Sequence, residues 1–140
     1  MNETPLTHEE LSRLREGLTH IPYARLLGIE FEDATRGAAT VSMRARPELE
    51  RFGGIMHGGA LASLVDTASA FAVISTLEPG AQTVTVDLTL HYLRPVKGGK
   101  LIARARVLRA GRRLASVSVE VSDESGALVL AALTTYLKSS

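Results

Sequence analysis

The stretch His57-Gly58-Gly59-Ala60-Leu61-Ala62-Ser63-Leu64-Val65-Asp66-Thr67-Ala68-Ser69-Ala70-Phe71-Ala72-Val73-Ile74-Ser75-Thr76-Leu77 decides the fold. It has no Pro, its two Gly stand at its start, and Asp66 is its one charged side chain before Glu78. This predicts a helix from about Gly58 to Leu77 that is apolar on nearly every face. Such a helix is buried in a core or spans a membrane. The 20 residues from Gly58 to Leu77 approach the length of a span. Their Gly, Ser, Thr and Asp content and the lack of Lys or Arg at their ends predict burial instead. A carboxylate in a buried helix is costly to desolvate unless it is paired or used. Asp66 therefore either has a structural partner or carries chemistry.

Upstream, Thr7-His8-Glu9-Glu10 is a capping-box pattern with Thr7 at the N-cap and Glu10 three residues on. It predicts a helix to about Leu18, with Leu11, Leu14 and Leu18 on one face. Ile21 to Leu27 reads as a turn or short helix. Strands are expected from Gly28 to Ala34 and from Gly37 to Arg46, joined at Arg36-Gly37. A loop with Gly53-Gly54 leads into the central helix, which Glu78-Pro79-Gly80 ends. Beyond it, Thr83 to Tyr92 reads as a strand with Val84, Val86, Leu88, Leu90 and Tyr92 on one face. Leu101 to Arg109, Leu114 to Ser122 and Ala127 to Lys138 complete the strands. Short turns between consecutive strands imply antiparallel pairing. The expected class is α+β, a curved antiparallel sheet packed on one long helix. One domain over residues 1–140 is expected, with residues 1–20 as a helical extension.

With 140 residues of which 45% are hydrophobic, the chain is expected to bury a core without staples. The absence of Cys excludes disulfides, a thiolate nucleophile and a Cys-ligated metal, and fits a cytoplasmic protein. The N-terminus has no basic and apolar run of the secretory kind. A net charge of +1 with mixed signs gives no nucleic-acid footprint. His8, His20 and His91 have no ligand spacing with one another, so no metal is expected.

His57, Gly58 and Gly59 stand where the central helix begins. A helix N-terminus leaves backbone N–H groups free and favours negative charge. Gly lets a ligand atom approach them, so Gly58 and Gly59 are candidate donors to an oxyanion. The alternative is a tight loop-to-helix turn. Asp66 lies eight residues on, about 12 Å along the axis. It can attack an acyl carbon or activate water, or it can staple a neighbouring segment. If Gly58 and Asp66 serve one reacting carbon, they must come from two chains, most simply a two-fold dimer. Among the basic residues, Arg104 and Arg106 read as a solvated strand face. Arg94, Lys97 and Arg109 cluster near them, and Arg112 and Arg113, at a turn, are better placed for phosphate contact.

Gly54-Ile55-Met56-His57-Gly58-Gly59-Ala60 with Ser63-Leu64-Val65-Asp66-Thr67-Ala68 resembles the signature of PaaI-type hot-dog thioesterases. Thr83-Val84-Thr85-Val86-Asp87-Leu88 and Tyr92-Leu93-Arg94-Pro95 resemble the family's next strand. Gly111-Arg112-Arg113 and Gly126-Ala127-Leu128-Val129 fall where it places hairpin turns. The likeness runs from about Tyr23 to Lys138.

The resemblance implies a hot-dog fold and hydrolysis of acyl-CoA thioesters at a homodimer interface, the dimers often pairing into homotetramers. The CoA thioester is then the substrate, with no cofactor, nucleic acid or membrane partner. By that likeness Asp66 is the general base or nucleophile. Gly58 polarises the carbonyl from the other subunit, His57 holds the helix terminus and Thr85 stands near the water. Tyr92, Leu93, Arg94, Pro95 and Lys97 would border the CoA moiety, as would Arg109, Arg112 and Arg113. Many members carry Asn six residues before the His. Here that position is Arg51, which accepts no hydrogen bond, and which is expected to meet Asp66, an acidic substrate or solvent. Phe52 and Phe71 are candidates to line the acyl pocket, although core packing explains Phe71 equally well. The other readings are a non-catalytic acyl-CoA-binding protein and a hot-dog dehydratase. Asp66 weighs against the first, and the lack of the dehydratase His and acidic pattern against the second.

Overall fold

The computed structural model describes residues 4–139. Residues 1–3 and 140, the ends of the expected domain, lie outside the described residues. Two short helices, α1 (His8–Thr19) and α2 (Pro22–Leu27), precede strands β1 (Glu30–Thr35) and β2 (Ala38–Arg44). The long helix α3 (Gly58–Ile74) comes next, then β3 (Gln82–Tyr92), β4 (Lys100–Ala110), β5 (Leu114–Ser122) and β6 (Leu128–Ser139). The strands form one antiparallel sheet in the order β1-β2-β4-β5-β6-β3. This sheet wrapped on α3 is the hot-dog architecture.

The capping box forms as the sequence predicts. Thr7 N–H donates to the Glu10 carboxylate at 2.9 Å, and Glu10 N–H donates to the Thr7 hydroxyl at 3.1 Å. Such a cap is worth about 1 kcal/mol. Glu10 also pairs with Arg36 at 3.0 Å, tying α1 to the β1–β2 turn. Gly28, expected to open a strand, instead closes α2 at φ 75°, a left-handed position that suits Gly.

Helix α3 packs Leu61, Leu64, Val65, Ala68 and Ala72 onto the sheet. The alternating Leu101, Ala103, Ala105 and Val107 of β4 and Ala115, Val117, Val119 and Val121 of β5 meet it. On its other side Ala62, Ser63, Asp66, Thr67 and Ala70 stay half-buried. The helix ends at Ile74, three residues before the expected Leu77. Ser75 stops it by donating its hydroxyl back to Ala72 O at 2.7 Å while accepting from Gly37 N–H at 2.7 Å.

Strand β3 departs from its expected alternation. Thr85 pairs with Tyr136 and Asp87 with Thr135, so Val86 is an extra residue, a β-bulge. The bulge switches the inward set from odd to even numbers. Thr85 bonds Asp66 on α3 before it, and Leu90 packs on the core after it. Val84 and Val86, expected on the same face as Leu90, are instead 56% and 57% exposed. β3 is also a sheet edge, so these valines flank an open ladder.

Candidate active site

Asp66 sits in the middle of α3 on its half-open side. Its Oδ1 accepts from the Thr85 hydroxyl at 2.9 Å and from the Tyr136 phenol at 2.5 Å. The phenol also donates to the main-chain oxygen of Asp66 at 3.0 Å. Among the described residues, Oδ2 accepts no hydrogen bond. Tyr136 is fully buried, and burial first, then its bonded carboxylate neighbour, pushes its hydroxyl far above the ordinary tyrosine range. It therefore stays a proton donor. The carboxylate is fixed by one oxygen and open at the other, the arrangement a general base requires.

Tyr136 escaped the reading of the sequence, which took Ala127 to Lys138 as an apolar strand. The available signal was its position in that strand. A Tyr facing the core needs a hydrogen-bond partner for its hydroxyl, and the one acidic residue of α3 is the obvious one.

The N-terminus of α3 forms a second group. His57 is the N-cap, and its Nδ1 accepts from Gly59 N–H at 2.8 Å. This corrects the expectation that both glycine amides stand open, because the imidazole occupies that of Gly59. The N–H of Gly58 meets no acceptor among the described residues. Gly58 O accepts from the Tyr92 hydroxyl at 2.6 Å, which seats the end of β3 on the start of α3. Arg51, Gly58, Leu61, Tyr92, Arg94 and Pro95 line a cleft of about 310 Å³. Arg51 donates to Phe52 O at 2.9 Å and meets neither Asp66 nor Oδ2. Leu93, half-exposed, lines this cleft as well. Lys97 lies just past it, exposed, after Val96 turns inward and accepts from Met56 N–H at 2.8 Å.

These groups occupy opposite ends of the sheet. Tyr92 pairs through Leu130 with Val121. Val84 pairs through Leu137 with Leu114, at the turn that carries Arg109, Arg112 and Arg113. Eight residues of β3 separate the two rows, about 26 Å. The basic residues expected to border one CoA are therefore split within one chain. Arg109, Arg112 and Arg113 lie toward the Asp66 end, and Arg94 and Lys97 toward the Gly58 end. Arg104 and Arg106 project from the outer, exposed side of β4. Among the described residues no group of three acidic or His side chains could hold a metal ion, and no helix is long and apolar enough to cross a membrane.

The model of the thioesterase superfamily matches residues 53–130, more than half of the chain. The chain belongs to the thioesterase superfamily. It is thus a thioester hydrolase, on the hot-dog fold of that superfamily. Acyl-coenzyme A thioesterase 13 of Homo sapiens is 34% identical over 111 residues, 78% of this chain and 79% of its own. The medium/long-chain acyl-CoA thioesterase YigI of Escherichia coli is 29% identical over 133 residues, 84% of this chain and 86% of its own. A crystal structure of a Haemophilus influenzae thioesterase is similar with a TM-score of 0.86 at 25% identity, over 99% of this chain and 94% of that one. The matched span of this thioesterase runs from the glycine loop through α3 to β6. It contains Asp66, Thr85 and the Gly58 terminus, whereas Arg51, Phe52 and Tyr136 fall outside it.

Proposed function

We propose that the protein hydrolyses acyl-CoA thioesters to a free carboxylic acid and CoA at two equivalent sites of a homodimer. The observation that carries this is Asp66, held at Oδ1 by Thr85 and Tyr136 with Oδ2 uncommitted. The substrate class rests on the human and Escherichia coli relatives, which are named for acyl-CoA hydrolysis.

In this reading Oδ2 of Asp66 takes a proton from a water whose oxygen attacks the thioester carbon. The carbonyl oxygen gains negative charge and is met by the N–H of Gly58 at a helix N-terminus, where backbone donors favour an anion. The carbon–sulfur bond then breaks, the acid leaves, and the CoA sulfur takes up the proton. His57 positions this terminus by capping Gly59, and leaves Gly58 N–H for the substrate.

The distance between the two groups makes the dimer part of the chemistry. Gly58 and Asp66 of one helix stand about 12 Å apart, so one carbonyl meets Asp66 of one chain and Gly58 of the other. Two antiparallel α3 helices satisfy this with the two-fold beside Ala62, a small half-buried residue midway between them. The same rotation brings Thr85 beside the partner subunit's Tyr92, because Thr85 is bonded to Asp66 and Tyr92 to Gly58. That lays the open β3 edges against each other, antiparallel, and covers Val84 and Val86. It also brings Arg112 and Arg113 of one chain within about three strand spacings, about 14 Å, and Arg109 on β4 within four, about 19 Å, of the partner subunit's β3. The split CoA-binding residues then face one substrate. Pairing of such dimers into a tetramer belongs to the same proposal. So does the cytoplasmic location, which an absence of Cys suits.

The test is release of free thiol from a panel of acyl-CoAs, by the protein and by Asp66→Asn. Turnover that depends on Asp66 supports the reading. Binding of CoA esters without turnover on any of them returns the protein to the non-catalytic alternative.

A further inference from the structure

A mostly apolar cavity of about 270 Å³ lies between α1 and the C-terminal end of α3, beyond the proposed catalytic groups. Leu14 and Gly17 of α1 and Phe71, Ile74 and Leu77 of the α3 end form its walls, with Ala81 at the foot of β3.

Two walls lead to it from the carboxylate. On α3, Asp66, Ala70 and Ile74 recur every four residues and so share one face. Asp66 to Ile74 is about 12 Å. On β3, Thr85 and Thr83 lie on one side, before the bulge, and Ala81 continues the row to the cavity. Thr85 to Ala81 is about 13 Å. α3 and β3 run antiparallel, so both rows start at the Thr85–Asp66 hydrogen bond and end at the same hollow. Asp66 is the only charge on either row, and Ala70, Thr83, Ile74 and Ala81 are all half-buried.

Gly17 keeps the hollow open. It lies in the third turn of α1, three residues after buried Leu14 and beside buried Leu18, and is itself exposed where it borders the cavity. Gly inside a helix costs about 1 kcal/mol relative to Ala. A Cβ added there would meet nothing within 4 Å, so a larger side chain at this position has room to extend over the cavity that Gly17 borders.

We infer that this cavity receives the far end of the substrate's acyl group, and that the group is a straight aliphatic chain of medium length or longer. About 12 Å of path takes roughly ten carbons of an extended chain, and the cavity holds the carbons beyond them. Leu6, Leu14, Ile21, Ile74 and Leu77 make most of the lining, Glu10, Arg13, Ser75 and Glu78 also stand at it, and Phe71 is its one aromatic residue. The inference rests on the thioesterase reading for the position of the reacting carbon.

Gly17→Leu and Gly17→Phe fill the cavity from α1, far from the reacting groups. Hydrolysis of butyryl-, octanoyl-, dodecanoyl- and palmitoyl-CoA is measured for each. The expected result is a fall of tenfold or more in kcat/KM for dodecanoyl- and palmitoyl-CoA, with butyryl-CoA within twofold of the unaltered protein. Equal loss at every length, or no change at any, overturns the inference. A second readout does not need turnover. Dodecanoyl-CoA is added to the Asp66→Asn protein, and the methyl resonances of Leu14, Ile74 and Leu77 are monitored with and without Gly17→Phe. Shifts that Gly17→Phe abolishes support the cavity even if no thioester is hydrolysed, which would sink only the thioesterase reading. Hydrolysis without such shifts sinks the cavity and leaves the thioesterase standing.

Discussion

The Tyr136 phenol donates to both the main-chain oxygen and Oδ1 of Asp66, at 3.0 and 2.5 Å, from a strand 70 residues away. This contact fixes the one charged group of α3 and explains how a carboxylate is tolerated on an otherwise apolar helix. It also leaves Oδ2 without a hydrogen bond among the described residues. Tyr136→Phe removes one donor and keeps the buried ring. A hydrogen bond to a charged group is worth about 1.5–3 kcal/mol, so kcat should fall between about ten- and a hundredfold with KM little changed. Steady-state kinetics beside thermal melts check this. An unchanged kcat with a lowered Tm would make Tyr136 a packing residue only.

Gly58→Pro isolates the proposed oxyanion donor. Gly58 is the first residue of α3, a position that suits Pro. The preceding His57 already has φ −64° and ψ 134°, the region that a residue before Pro prefers. A Cβ at Gly58 meets the Tyr92 ring at 3.4 Å, an ordinary contact. The substitution thus deletes one N–H with little else. Loss of one oxyanion donor costs about 10²–10³ in kcat, and thermal stability should stay unchanged. Hydrolysis assays beside thermal melts read the two effects separately.

Gly59 gives the opposite pattern. A Cβ there would lie 2.9 Å from His57 Nδ1 and push the imidazole off its cap. Loss of an N-cap costs about 1 kcal/mol, which lowers Tm by about 3 °C in a chain of this size. Gly59→Ala and His57→Ala should share that loss, and the double variant should show no further fall, since both remove the same bond. Melting curves of the three proteins decide it.

Much of the fold was legible in periodicity. The capping box, the alternation in β4 and β5 and the apolar run of α3 each express one local rule. The reading failed where geometry is set by a partner strand. Nothing in Thr83 to Tyr92 announces that Val86 bulges, because the bulge is defined by the register against β6. Yet it is the bulge that puts Thr85 on the same side as Leu90. Tyr136 was missed for the same reason, since its role is fixed by a strand and a helix distant in sequence. Asp66 and the Gly58 terminus were legible because each breaks its own segment's composition. The split of the basic residues between two ends of the sheet arises from strand order, which the chain sequence does not express.

Glu32 gives the stability a pH dependence. The buried Ser42 hydroxyl, at 2.6 Å, and Lys100, at 3.0 Å, hold its carboxyl below the usual carboxylate range. A depressed native value stabilises the fold at neutral pH, and that stabilisation is lost as pH falls through the carboxylate range. The group is one-third exposed, so solvent screening keeps the contribution under about 1 kcal/mol. Glu32→Gln should flatten the decline between pH 5 and pH 3 in urea titrations and leave the fold otherwise intact.

The central claim is that Asp66 and Gly58 of different chains build one site, and mixed dimers test it most directly. Asp66→Asn and Gly58→Pro proteins, each inactive alone, are unfolded together and refolded as a mixture. Random pairing makes half of the dimers mixed, and each mixed dimer carries one site with both groups intact. About a quarter of the unaltered activity should return. Activity no greater than the sum of the two separate variants, with mixed dimers shown to form, would place both groups in one chain and contradict the account.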